Sequence, residues 1–179
     1  DVDCGAVATM KEVSAVGFKA PHGKSITGAH LVDEHVLEAM EDYSIVSPLH
    51  VPNYIRAMRL FQEIVPTLPL VAVFETTFHQ TMPAKAYTYG IPAAWKADGF
   101  RRYGFHGNSH SYIASQLGIH GGEIHYRAIS CQLGGSTSLC AILAGKSQDC
   151  SFGFSAQRGH AGPYTYWTVP TKAYCLVTG

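Results

Sequence analysis

The stretch VAVFETTFHQTMPAKAYTYGIPAAWKADGFRRYGFHGNSH, residues 71–110, decides how this chain is read. It begins inside a continuous apolar run, residues 70–74, of the kind found in a strand covered on both faces in a parallel or mixed sheet. Glu75 follows directly. A carboxylate therefore stands at the C-terminal end of a predicted strand, where α/β sheets usually bind ligands. It suits a group that holds Mg²⁺ or orients an attacking atom, and equally a salt bridge or a solvated strand end. Further along, Arg101, Arg102, His106, Asn108, Ser109 and His110 form a dense polar cluster with Gly104 and Gly107. Cations, imidazoles and glycines together allow close approach of an anion. The i, i+4 spacing of His106 and His110 also fits a metal pair if both share a helix face. Gly107 favours a loop at His106 and weighs against that. Structural polar packing is the third reading. A strand-end carboxylate followed by imidazoles and cations is the set that phosphoryl transfer uses.

Working outward, residues 13–19 (VSAVGFK) read as a strand ending at Lys19, and a turn-rich loop follows through Pro21, Gly23 and Gly28. Asp33 and Glu34 open a helix with Val36, Leu37, Met40 and Tyr43 at helical spacing. The segment SPLHVPNY (47–54) is a loop carrying Leu49 and His50, and Pro52 suits the first turn of a second helix with Ile55, Met58, Phe61 and Val65 on one side. Residues 87–95 read as an irregular connection. Asn108 is placed as the N-cap of a helix that Gly118 stops. Residues 127–133 and 138–143 are predicted strands, and Gly134, Gly135 and Ser136 make a tight hairpin between them. The backbone of such a turn can cradle phosphate, and two glycines are also the ordinary hairpin signal. Lys19 could bind an anion as a point charge or be a solvated lysine. The predicted fold class is α/β, a mixed sheet with flanking helices.

Composition narrows the classes. The 179 residues are 46% hydrophobic and 15% charged, which supports a packed core and argues against wholesale disorder. Thirteen basic and thirteen acidic residues give zero net charge, so no nucleic-acid or anionic-membrane footprint is expected. The five cysteines (Cys4, Cys131, Cys140, Cys150, Cys175) contain no C-x-x-C, so neither a disulfide framework nor a zinc site is suggested and a reducing compartment is expected. No apolar run approaches the roughly 20 residues of a membrane span, and no signal peptide is apparent at the first residues.

Six collinear segments together resemble the acetate kinase family: VGFKAPHG (16–23), SPLHVP (47–52), VAVFETTFHQTMP (71–83), RRYGFHGNSH (101–110), SCQLGGSTS (130–138) and GKSQDCSFGFS (145–155). The resemblance implies an incomplete ribonuclease H-like (actin-like ATPase) fold. Residues 1–77 would be the later part of a first kinase domain, 78–159 the beginning of a second, and 160–179 a divergent tail. It implies reversible Mg²⁺- and ATP-dependent phosphorylation of a short-chain carboxylate, acetate first, giving an acyl phosphate and ADP. It implies a cytoplasmic enzyme that is a homodimer when full length, with no nucleic-acid or membrane partner. Glu75 takes the place of the family's catalytic aspartate near the metal, and Lys19 that of a carboxylate-binding arginine. His106 matches the histidine that stabilises the transferring phosphoryl group, and His50 a second active-site histidine. Leu49 and Phe105 match the acyl pocket; Gln132, Gly134, Gly135 and Ser136 match the phosphate-binding hairpin. Gln132 replaces a histidine, Pro21 and Ala156 depart from the usual acyl-pocket residues, and Thr165 falls near the place of an expected arginine. Segments for the first phosphate turn and the adenosine site have no counterpart, so the isolated chain is expected to be inactive. The alternative is a truncated, non-catalytic anion-binding or interaction module.

Overall fold

A computed structural model describes residue 5, residues 7–121 and residues 125–155. The expectations for Ala156, Thr165 and the tail 160–179 lie outside the described residues. The chain is α/β and divides into two compact units, one drawn from Asp1–Ser44 and Pro48–Phe74, the other from Ile45–Ser47 and Glu75–Gly179.

The first unit is built on a three-stranded mixed sheet of β1 (Val16–Ala20), β2 (Ala29–Leu31) and β3 (Leu70–Phe74), in the order β1-β3-β2. β1 runs parallel to β3 with Val16 opposite Leu70, and β2 runs antiparallel to it. β3 covers the five residues of the apolar run. Two helices, α1 (Glu34–Asp42) and α2 (Val51–Ile64), supply the rest of the core. Asp33 caps α1 by accepting the Val36 N–H at 2.9 Å. Val36, Leu37 and Met40 from α1 and Val51, Ile55 and Met58 from α2 pack with Ala20, Ala72 and Phe74. Arg59 grips both carboxylate oxygens of Glu34, at 3.0 and 3.1 Å, tying α2 to α1. The pair is exposed, so it sets orientation more than stability. Strand β2 escapes the sequence pattern because all three of its residues are exposed.

Beyond Ile45–Ser47, the second unit runs from Glu75 through a 3-10 turn (Thr77–Thr81) and two short helices, α3 (Ala84–Tyr87) and α4 (Ala93–Ala97), and then enters α5 (Gly107–Gly121). The predicted irregular connection 87–95 thus contains helical turns, started by Pro83 and Pro92 at the caps. Two expectations are corrected in α5. Asn108 lies inside the helix rather than capping it, and the helix passes through Gly118, which has open space around it. A single glycine costs about 1 kcal/mol against alanine, too little to end a helix that packs.

A second, antiparallel sheet follows: β4 (Arg127–Leu133), β5 (Thr137–Leu143) and β6 (Lys146–Cys150) in that order. The expected hairpin at 134–136 joins β4 to β5. The turn Ala144-Gly145, both with positive φ (48° and 78°), joins β5 to β6. One side of this sheet packs Cys140 and Ile142 with Ala114 of α5. On β4 the alternate residues Ile129 and Leu133 stay 66% and 75% exposed. Among the described residues no helix is long and apolar enough to cross a membrane.

Candidate active site

The chemistry-bearing groups of the second unit converge on the start of α5 and the first hairpin. The convergence depends on a close backbone approach. A Cβ built on Gly107 would stand 1.9 Å from the Glu75 carbonyl oxygen, so only glycine lets the first residue of α5 lie against the end of the Glu75 peptide. Glu75 itself is 6% exposed. Just before Gly107, His106 has φ +56°. Left-handed backbone at a non-glycine residue costs on the order of 1–3 kcal/mol and persists where the surroundings over-determine it.

Those surroundings are specific. The His106 ring stands edge-on to Phe152, its Nδ1 lies 2.9 Å from Ser138 Oγ, and its Nε2 lies 3.1 Å from Ser136 Oγ. Ser138 Oγ is also 2.8 Å from His110 Nε2, while His110 Nδ1 meets Ser130 Oγ at 2.9 Å. Beside them Ser109 donates to Gln132 Oε1 at 2.6 Å. The β4–β5 register makes this possible: Gln132 faces Ser138 and Ser130 faces Cys140, so hydroxyls at alternate strand positions line one side under α5.

Behind His106 stands His79, from the 3-10 turn. Its Nε2–H donates to the Phe105 carbonyl at 3.0 Å, since a carbonyl can only accept, and its Nδ1 then accepts from Ser147 Oγ at 2.9 Å. Gly104 (φ +75°) packs so tightly on the His79 ring that a Cβ would sit 2.6 Å from it. His79 thus fixes Gly104 and Phe105, the two residues leading into His106. Burial pushes the imidazoles of His79 and His110 down to about 4; for His110 the neighbouring rings of His79 and His106 add to the effect. Both are neutral near pH 7. The metal-pair reading of His106 and His110 fails on contacts, because both His110 nitrogens are engaged by serine hydroxyls. Among the described residues no three His, Cys, Asp or Glu side chains cluster to hold a metal.

The two arginines of the motif are structural. The Arg101 guanidinium stacks 3.8 Å above the Tyr87 ring, and Arg102 donates to the Cys150 carbonyl with Asp149 3.5 Å away. Phe105 is buried with Met82, Cys150 and Phe152. Cys140 and Cys150 are buried thiols; desolvation pushes Cys140 up to about 12 and Cys150 upward too, so neither is a nucleophile near neutral pH.

The turn at 134–136 is open. Gly134 and Gly135 are exposed, neither has positive φ, and a Cβ on Gly135 would meet nothing within 4 Å. The chain's own packing does not require glycine at Gly135, and within the turn the Gly134 N–H donates to the Ser136 carbonyl at 3.3 Å.

The remaining predicted site residues belong to the first unit. Lys19 is exposed at the end of β1, and Leu49 and His50 are exposed just before α2. His22, given no role by the sequence, is fully buried. It stacks on Tyr43 at 4.5 Å, accepts the Lys24 N–H at 2.9 Å, and is pushed down to about 3 by burial. The sequence also missed Ser138, Ser130 and His79. Their signal lay in strand register and in contacts across the unit, which spacing alone does not reveal.

A family model described as the Acetokinase family matches residues 3–161. The chain is 41% identical over 159 residues to an acetate kinase of Carboxydothermus hydrogenoformans, covering 87% of this chain and 40% of that protein. It is 42% identical over 163 residues to one of Fervidobacterium nodosum, covering 89% and 40%. Among solved structures, a propionate kinase from Francisella tularensis superposes with TM-score 0.84 at 31% identity, over 94% of this chain and 44% of that one. The Porphyromonas gingivalis acetate kinase gives 0.77 at 29%, over 99% and 46%. The chain spans about 40% of the length of the curated relatives it matches.

Proposed function

The chain belongs to the acetokinase family, and from that premise we propose that it carries part of the active site of an ATP-dependent kinase for a short-chain carboxylate, acetate before propionate. The observation that supports this reading is the placement of His106: a left-handed residue held by two serines, its Nε2 beside an open glycine turn. That is a place for an anion whose charge changes in the reaction.

A carboxylate is already a nucleophile, so the protein's task is positioning and charge neutralisation. In this reading the backbone of Gly134 and Gly135, with Ser136 and Gln132, cradles phosphate. His106 donates from Nε2 to the oxygens of the phosphoryl group in transfer. Lys19 and His50 bind the substrate carboxylate, and Leu49 and Phe105 border its acyl chain. Glu75 orients a magnesium ion or its water. A single buried carboxylate fits Mg²⁺, which keeps several waters and is held by one or two carboxylates together with nucleotide phosphates. The ion would neutralise charge on those phosphates. We read residues 1–77 and 78–159 as parts of two domains of a ribonuclease H-like kinase. The complete protein would be a cytoplasmic homodimer whose remaining length holds the adenosine.

The test is acyl phosphate formation, trapped as hydroxamate, from acetate, propionate and butyrate with Mg-ATP. It is run on the complete coding sequence that contains this chain and on the 179-residue protein alone. Activity in the former and none in the latter is expected. Acyl phosphate from the isolated chain would overturn the division of the site. Phosphate binding without turnover in both would favour the non-catalytic anion-binding module, for which the open turn is the supporting observation.

A further inference from the structure

His106, Ser138, His110 and Ser130 form a continuous line of hydrogen bonds of 2.9, 2.8 and 2.9 Å. Ser138 is the informative member. Its hydroxyl has one proton and touches two imidazole nitrogens, so it donates to at most one ring, and accepting from both would leave its proton without a partner in this line. Two arrangements use the Ser138 proton within the line. If Ser138 donates to His106 Nδ1, that nitrogen is unprotonated and His106 cannot be an imidazolium without breaking the bond. If Ser138 donates to His110 Nε2, then His110 carries its proton on Nδ1, toward Ser130. His106 then holds a proton on Nδ1, and its Nε2, beside Ser136, can carry a second.

We propose that His110 is a positioning residue for His106: through Ser138 it keeps a proton on His106 Nδ1 and so lets the Nε2 side act as a cationic donor toward the glycine turn. The proposal rests on the reading that His106 neutralises phosphoryl charge. For this His110 must stay an acceptor at Nε2. A charged His110 would donate from both nitrogens and leave the Ser138 proton no acceptor in the line but His106 Nδ1. The structure guards against that. His110 is fully buried, and burial with the neighbouring rings of His79 and His106 holds it neutral down to about pH 4. The groups facing it are the serine hydroxyls of β4 and β5, the ring of His79 from the 3-10 turn 5.9 Å away, and His106. His79 is itself held neutral by burial and a carbonyl bond. The i, i+4 spacing thus serves an orienting pair rather than a metal pair.

The test reads tautomers directly, by long-range proton–nitrogen correlation spectra of ¹⁵N-histidine-labelled 179-residue protein near neutral pH. The expected result is His110 protonated on Nδ1 alone and His106 protonated on Nδ1. His110 protonated on Nε2, or His106 lacking its Nδ1 proton, overturns the proposal. In Ser138→Ala, His106 should shift to the Nε2–H form that free imidazole side chains prefer, while Ser138→Thr, which keeps the hydroxyl, should restore Nδ1–H. In the complete enzyme Ser138→Ala should lower kcat about ten- to hundred-fold, as for other groups that orient a functional side chain, with KM for the carboxylate little changed. An alanine variant with unchanged tautomers and unchanged kcat also overturns it. Should the variants fail to fold, the wild-type spectrum alone decides. The tautomers are read without turnover. The predicted tautomers in an inactive full-length protein would therefore sink the kinase reading alone, and the wrong tautomers in an active one would sink this proposal alone.

Discussion

At the scale of single residues, Glu75 and His106 are the groups assigned to charge handling. If they act mainly in the transition state, Glu75→Ala and His106→Ala in the complete enzyme lower kcat far more than they raise KM, each by about 10²–10³-fold as for loss of a preorganised charge-stabilising group. Steady-state kinetics check this, and near-normal turnover in either variant removes that residue from the mechanism. Between them in character stands Thr76, fully buried at the entry to the 3-10 turn. Its carbonyl accepts from the His79 and Gln80 side of that turn, but its hydroxyl has no hydrogen-bond partner among the described residues. A buried unsatisfied hydroxyl costs about 1–3 kcal/mol, and valine has nearly the same shape. Thr76→Val is therefore expected to raise stability by about 1 kcal/mol in urea unfolding. A loss of stability would show that the hydroxyl is bonded in solution.

At the scale of elements, the decisive contact is the start of α5 against the Glu75 carbonyl. Alanine at Gly107 would gain about 1 kcal/mol of helix propensity. It would also force a backbone displacement, since its Cβ would stand 1.9 Å from a carbonyl oxygen. Overpacking of this kind costs about 1–3 kcal/mol, and here the neighbour is backbone and cannot turn aside. Gly107→Ala should therefore destabilise by about 1–3 kcal/mol and depress activity further than stability alone explains, because His106 immediately precedes it. Full activity with unchanged urea midpoint would show that the approach is looser. The elements also show what was legible beforehand. The apolar run gave β3 residue for residue, and Asp33, the α1 spacing and the 134–136 hairpin were all readable, because each is a local signal. β2 was not, having no buried residue, and neither was β6, whose KSQDC hides two buried positions, Ser147 and Cys150, in a polar string. In the site, His106 and the glycine turn were legible as motifs. Ser138 was not, because its role exists only once the β4–β5 register sets it under α5.

At the scale of the whole molecule, three buried histidines link folding to pH. His22 is held down to about 3, and His79 and His110 to about 4, against about 6.5 in an unfolded chain. The folded values are depressed, so the unfolded chain binds more protons below about pH 6.5. Stability is fully present above that value and is lost as pH falls toward the folded values. Each group adds a slope of up to about 1.4 kcal/mol per pH unit. Urea midpoints should fall between about pH 7 and about pH 5, before most carboxylates titrate. A flat profile there would mean that these rings are not desolvated. The two sheets also differ in how they must be closed. β4, β5 and β6 follow one another through tight turns, so each pairing brings together neighbours along the chain and can form on the microsecond scale of hairpins. The first sheet cannot begin until Val16 meets Leu70 in a parallel pair, with β2 and both long helices in the intervening loop. Loop-closure entropy makes such pairings slow. Of the two described sheets, the one nearer the start of the sequence is thus the one that closes later. The pairing of β1 with β3 waits during synthesis until residues 70–74 have been made.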